Sequence, residues 1–138
     1  MWDESQVQRV PAGVPLEFAA TMAVNPCTAY RMLLDFGTLR EGDAVIQNGA
    51  NGGVGKAVIQ IAARRKIKTV NVVRKRDDFE QVAQELYSLG ATLVVSDEDL
   101  IKVPAMQESL RQKIGEAPAL ALNCVGGDNA TNMGRYLQ

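Results

Sequence analysis

The sequence predicts an α/β protein built on a parallel sheet, and three observations carry that reading. Short apolar stretches of strand character, at 44–46, 69–73, 92–95 and 120–125, alternate with segments of helical spacing. The intervals leave room for a helix between successive strands, which demands right-handed crossovers and parallel neighbours. A glycine-rich turn joins the first of those strands to the helix that follows it.

Residues 1–15 are polar and punctuated by Pro11, Gly13 and Pro15, which suits an extended lead-in. The apolar, alanine-rich stretch 17–24 has the length of one or two helical turns. Asn25-Pro26 then opens a better helix, with Asn at the N-cap and Pro at the first helical position. Apolar Ala29, Met32, Leu33 and Phe36 follow, and Gly37 stops it. Ala44-Val45-Ile46 is a short buried strand of the parallel type. From Val54 the apolar positions fall at 54, 58, 61 and 62, one face of a helix, and Arg64, Arg65 and Lys66 complement its C-terminal dipole. Thr69–Val73 is rich in β-branched residues and reads as the second strand. Asp77-Asp78 can cap a helix through Val82, Leu86 and Leu89 that ends at Gly90. Residues 92–95 form a third strand, 97–115 a loop and a helix broken at Pro104, and 120–125 a fourth strand before Gly126-Gly127-Asp128 and another helix.

A chain of 138 residues suits one domain with a proper core. Its 46% hydrophobic and 22% charged residues are those of an ordinary globular protein. The net charge of −1 provides no global field for nucleic acid or an anionic membrane, and no apolar run approaches the ~20 residues that cross a bilayer. The acidic opening Met1–Ser5 lacks the features of a signal or transit peptide. With no histidine and with Cys27 and Cys124 in no ligand-like spacing, neither a metal site nor a histidine-based triad is expected. The two thiols read as buried small hydrophobes rather than a disulfide.

The glycine segment is Gln47-Asn48-Gly49-Ala50-Asn51-Gly52-Gly53-Val54-Gly55. Read as A-x-G-x-x-G, it puts Ala50 at the tight turn, Gly52 where backbone must approach a pyrophosphate, and Gly55 where helix packs on strand. The free N–H groups and dipole of the following helix favour an anion there. With a strand before it and a second strand after its helix, the motif has the context of a Rossmann dinucleotide fold. In such folds an acid about 20 residues downstream meets a free ribose 2′-hydroxyl. Here that position is Arg74, in Val73-Arg74-Lys75-Arg76, and a guanidinium fork suits a 2′-phosphate instead. The expected cofactor is NADPH.

Several blocks carry a resemblance. Ala23–Leu33, Gly42–Asn48, Ala57–Ala62, Asn71-Val72-Val73-Arg74-x-Arg76 and Leu120–Gly127 resemble the medium-chain dehydrogenase/reductase superfamily. More narrowly they are similar to its mitochondrial trans-2-enoyl-CoA reductases, or 2-enoyl thioester reductases. The resemblance implies NADPH-dependent reduction of a trans-2-enoyl thioester, on CoA or acyl carrier protein, in mitochondrial fatty acid synthesis. Hydride goes to C3 and a proton to C2. It implies cofactor contacts by Asn25 near the nicotinamide, by Asn51, Gly52, Gly53, Val54 and Gly55 along the pyrophosphate turn, and by Arg74, Lys75 and Arg76 at the 2′-phosphate. The family's proton-donating tyrosine belongs to an N-terminal catalytic domain, and Tyr30, Tyr87 and Tyr136 do not match it, so no catalytic residue is nominated. Residues 1–40 then read as lead-in and linking helices and 41–138 as a partial Rossmann domain, without the catalytic domain or the last strands. A homodimer is expected of the full-length protein, and self-association of a chain whose last strand is an unpaired edge. The alternatives are an NADPH quinone reductase of the same superfamily and a non-catalytic NADPH-binding or interaction module.

Overall fold

The structure, a computed structural model, describes residues 3, 5, 7 and 9–138. The rest of the acidic opening lies outside the described residues. In chain order the elements are α1 (Leu16–Met22), α2 (Asn25–Asp35), β1 (Ala44–Asn48), α3 (Gly53–Arg64), β2 (Lys68–Val73), α4 (Phe79–Ser88), β3 (Leu93–Ser96), α5 (Asp97–Leu100), α6 (Val103–Lys113), β4 (Leu120–Leu122) and α7 (Gly127–Gly134). The four strands form one sheet in the order β3-β2-β1-β4, every pair parallel. The order reverses between β1 and β4, which lie side by side although β1 is followed in sequence by β2.

Strand alternation sorts the core into two faces. Ala44, Ile46, Val70, Val72, Leu93 and Val95 point one way, onto α5, α6 and α7 through Leu100, Met106, Leu110 and Met133. Val45 and Leu122 point the other way, onto Ala29 and Leu33 of α2 and Val58 and Ala62 of α3. Ile59 of α3 joins Val73, Val94, Ala83 and Leu86 beside α4. Ile46, Ile59 and Leu86 are fully buried, and each such side chain contributes about 1.5–3 kcal/mol by leaving water. Within residues 1–40, α2 lies on α3 with Ala29 and Leu33 fully buried. In contrast α1 buries no residue, and Leu16 and Phe18 are exposed.

Several local expectations change. The first strand runs two residues further than its apolar part, because the amides of Gln47 and Asn48 are buried with hydrogen-bond partners. The fourth strand stops at Leu122 instead of reaching 125. There the Asn123 side chain accepts from the N–H groups of Val125 (3.2 Å) and Gly126 (2.9 Å) and turns the chain away from the sheet. The free edge of β4 is therefore only three residues long. Pro104 opens α6 rather than breaking it, sitting in the first turn where its missing N–H is harmless. Asp78 occupies the N-cap of α4 but makes no capping hydrogen bond. Asn25 is the first residue of α2 and not its N-cap, because Thr28 N–H already donates to Val24 O. Both cysteines are free and exposed, against the expectation of burial.

The end of α3 is decided by backbone geometry. Ile67 N–H donates to Ala62 O and Lys66 N–H to Ala63 O, the two bonds of a Schellman motif. Its left-handed residue is Lys66, at φ 55°, where glycine is usual. At the end of α4 the same motif uses Gly90, and a Cβ there would come within 2.7 Å of Ala63 Cβ.

Candidate functional site

The carboxyl ends of the strands meet around a cleft of about 240 Å³, in the crevice outside the strand ends where open α/β sheets bind ligands. Its floor comes from the end of β1 and the turn after it, through Asn48, Gly49 and Asn51. The ends of β2 and β3 add Val72, Val73, Arg74, Arg76 and Asp97, and the β4–α7 side adds Val125 and Asn129. Asp78 and Val82 close the α4 side.

Of the residues singled out from the sequence, Asn51, Arg74 and Arg76 line this cleft. Lys75 does not. Its ammonium lies over the Phe79 ring, 4.3 Å from the centroid, while its backbone N–H donates to Asp97 Oδ1 at 2.8 Å. Those two contacts hold the loop between its arginines. Among the described residues neither arginine is within ion-pair distance of a carboxylate.

The glycines form the turn beside the cleft. Gly52, in extended conformation at the N-cap of α3, donates to Gly49 O and accepts from Lys56 N–H. The N–H groups of Gly53, Val54 and Gly55 find no acceptor among the described residues, so the start of α3 is open to an anion. A Cβ on Gly53 would strike the Asn25 amide, which places Asn25 at the flank of the turn, outside the cleft. The Val54 side chain packs into the apolar cluster between α2 and α3 and can serve a ligand only through its backbone. Gly55 is buried with its Cα hydrogen facing Ala50, and a Cβ there would lie 2.5–2.7 Å from Ala50 backbone atoms.

Two amide networks escaped the sequence reading. In the first, Gln47 Nε2 donates to Gly55 O (3.0 Å) and to Asn71 Oδ1 (2.8 Å). Asn71 Nδ2 in turn donates to Thr69 Oγ1 (2.9 Å) and Leu93 O (3.0 Å). This buried line ties β1, β2 and β3 to the start of α3 and fixes where the turn stands. In the second, Asn48 joins the end of β1 to the loop after β4. The signal was present: Gln47, Asn48, Asn71 and Asn123 are amides within otherwise apolar strands. A polar side chain persists there only if it is fully paired.

The tyrosines have structural occupations. Tyr136 is buried and its hydroxyl donates to Leu100 O at 2.6 Å, with burial pushing its pKa up. Tyr87 OH accepts from Val94 N–H (3.1 Å), and Tyr30 is exposed on α2.

The parallel order 3-2-1-4 reproduces four strands of the Rossmann order 3-2-1-4-5-6, with the glycine turn after β1 at the switch point. That defines the class as a Rossmann-type α/β fold. No family model matches the chain. Curated relatives do: it is 50% identical over 137 residues to the mitochondrial enoyl-[acyl-carrier-protein] reductase of Xenopus tropicalis and 49% identical to the human one, in each case over 99% of this chain. Among solved structures, the mitochondrial 2-enoyl thioester reductase Etr1p/Etr2p heterodimer of Candida tropicalis superposes with a TM-score of 0.84 at 36% identity, over 93% of this chain. Etr1p in complex with NADP and crotonyl-CoA gives the same TM-score and identity. Over this length the chain is similar to mitochondrial enoyl-[acyl-carrier-protein] reductases and to 2-enoyl thioester reductases. It spans 38% and 36% of the length of the Xenopus and human relatives. A proposed NADPH:quinone reductase of Bacillus thuringiensis also superposes, at a TM-score of 0.77, but its 21% identity speaks to the fold alone.

Proposed function

We propose that this chain is the cofactor-binding part of an NADPH-dependent reductase that converts trans-2-enoyl thioesters to acyl thioesters in mitochondrial fatty acid synthesis. The observation that carries the cofactor is the pair Arg74 and Arg76 on one cleft with Asn51, at the carboxyl end of β2. Two guanidinium groups without carboxylate partners among the described residues suit the dianionic 2′-phosphate of NADPH, and the open N-terminus of α3 suits its pyrophosphate. In this arrangement Gly52, Gly53, Val54 and Gly55 offer backbone, Lys75 steadies the arginine loop, and Asn25 flanks the turn. The bound nicotinamide supplies the hydride; the residues of this chain hold and orient it. The relatives supply the rest of the proposal. The relatives are named for the mitochondrion and for an enoyl carrier-protein substrate, and the Etr1p complex holds NADP and crotonyl-CoA. The full-length protein is a dimer on this reading, supported by the Etr1p/Etr2p heterodimer.

Fluorescence titration of the 138-residue chain with NADPH and NADH tests the assignment. NADPH binds more tightly, and Arg74→Ala or Arg76→Ala weakens it by about 1.5–3 kcal/mol per lost charged hydrogen bond, or about 10- to 150-fold. NADH binding stays almost unchanged. A folded chain that binds both nucleotides equally overturns the arginine assignment. A form extended to the length of the relatives consumes NADPH with crotonyl-CoA. Consumption with a quinone alone would move the chain to the quinone reductase reading.

A further inference from the structure

The second amide network leads beyond the adenosine end of the cleft. Asn48 is 1% exposed and every polar hydrogen it has is used. Its Oδ1 accepts from Cys124 N–H (2.6 Å), and its Nδ2 donates to Asn123 Oδ1 (2.9 Å) and Asn129 Oδ1 (2.9 Å). Backbone donors orient two of the three amides, and the third follows from them. Cys124 N–H fixes the Asn48 oxygen, and the N–H groups of Val125 and Gly126 fix the Asn123 oxygen. Asn48 Nδ2 is then the donor that must face an oxygen on Asn129, since an amide has one accepting and one donating end. The Asn129 oxygen is thereby turned inward. Its Nδ2 has no acceptor among the described residues, and Asn129 lines the cleft opposite the arginine loop, next to Val125. The clasp crosses the switch point between β1 and the β4–α7 loop, so the same three amides also hold that wall of the cleft in place.

We infer that Asn48 is a positioning residue that locks Asn129 with its amine toward the cleft, making Asn129 a specificity-determining donor for an oxygen acceptor in the nicotinamide half of the cofactor. The inference rests on the proposal that the cleft takes NADPH. The arginines lie on the β2 side and the clasp on the β4 side, so a dinucleotide spanning the switch point meets the arginines with one half and Asn129 with the other.

The test separates the two halves by ligand. The chain and its variants are titrated with NADPH and with adenosine 2′,5′-diphosphate, which carries the 2′-phosphate but no nicotinamide riboside. Asn129→Asp keeps an oxygen for Asn48 and replaces the donor with a charged acceptor; Asn129→Ala removes the donor without adding charge. Either variant suffices if the other does not fold. Asn48→Asp still accepts from Cys124 N–H but cannot donate, so it releases the Asn129 amide while leaving Asn129 in the chain. The expected result is NADPH weakened by about tenfold or more in these variants, the equivalent of one hydrogen bond to a charged or polar ligand oxygen. Adenosine 2′,5′-diphosphate binding stays within about twofold, and the Asn48→Asp and Asn129→Ala changes are less than additive when combined. If both ligands weaken alike, or neither weakens, the amides are merely structural and the inference fails. If the unaltered chain binds neither ligand, the underlying NADPH reading fails instead.

Discussion

Gly55→Ala probes the joint on which the site is built. An alanine Cβ would sit 2.5 Å from Ala50 O, 2.6 Å from its Cα and 2.7 Å from its carbonyl carbon. Carbon atoms rest about 3.5–4.0 Å apart, so α3 and the turn must part by about 1 Å. The turn has little freedom to yield, because Ala50 is fully buried and Gly49 already sits at φ 60°. Overpacking of this kind costs about 1–3 kcal/mol. Movement of Gly55 also draws its carbonyl away from Gln47 Nε2, a 3.0 Å bond in a buried setting, and a stranded buried donor costs about 1–3 kcal/mol more. Better helix propensity returns at most about 1 kcal/mol. The net expectation is destabilisation by about 3 kcal/mol, or roughly 10 °C in Tm for a chain of this size. Gly53→Ala is the control. Its Cβ would meet only the end of the Asn25 side chain, which can swing aside, so stability should change by less than about 1 kcal/mol. Urea denaturation of the three proteins, followed by circular dichroism, measures both. A Gly55→Ala protein as stable as its parent, or one no worse than Gly53→Ala, would refute the reasoning.

Two further predictions concern the scaffold. Lys66→Gly relieves a left-handed lysine at the Schellman position and gives up only an exposed ion pair with Glu41, so it should stabilise the chain by about 0.5–1 kcal/mol; a lower urea midpoint counts against it. The Ser96–Asp99 capping box predicts an acid-sensitive contact. Hydrogen bonds from Ser96 first, then Lys102, hold the Asp99 carboxyl below its ordinary value. A group whose folded pKa is depressed contributes stability that is present above its unfolded pKa and is lost as pH falls through the folded value. The parent should therefore lose Tm on acidification from the ordinary aspartate range near 3.8 downward, and Asp99→Asn should lose less over that window. Parallel acid limbs for the two proteins would remove Asp99 from the account.

How much of this was legible in the sequence depends on what each residue contacts. Periodicity identified β2, because Val70, Val72 and Val73 all meet apolar neighbours and nothing competes with strand formation. The same apolar signal misjudged β4, where a single side chain, Asn123, captures two backbone N–H groups and ends the strand after Leu122. It also cut β1 short, since a pattern that counts apolar residues cannot credit an amide satisfied from another strand 24 residues away. Within the site, Arg74 was legible from spacing, with Arg76 in the same basic run, because the strand-turn-helix geometry is local; Asn51 came from the family resemblance. The cleft positions of Asn48, Asp97 and Asn129 were not legible, although Asn48 stood out as an amide in an apolar strand. Their places in the cleft depend on register between strands and on the loop after β4, which no spacing along the chain encodes.

The arginine loop shows how the structure separates three basic residues that are adjacent in sequence. Consecutive residues leaving a strand point to different sides, so Arg74 and Arg76 face the cleft while the residue between them faces away. Lys75 then packs over Phe79 at the start of α4, and its N–H is taken by Asp97 at the start of α5. An exposed cation–π contact of this kind contributes about 0.5–1 kcal/mol. Its larger effect is geometric, since loop, α4 and α5 are pinned to each other without using either guanidinium. Had Asp97 paired with an arginine side chain instead, the cleft would have been partly neutralised before any ligand arrived. By accepting a backbone hydrogen, the carboxylate sets the position of the loop and leaves both arginine forks to an incoming anion.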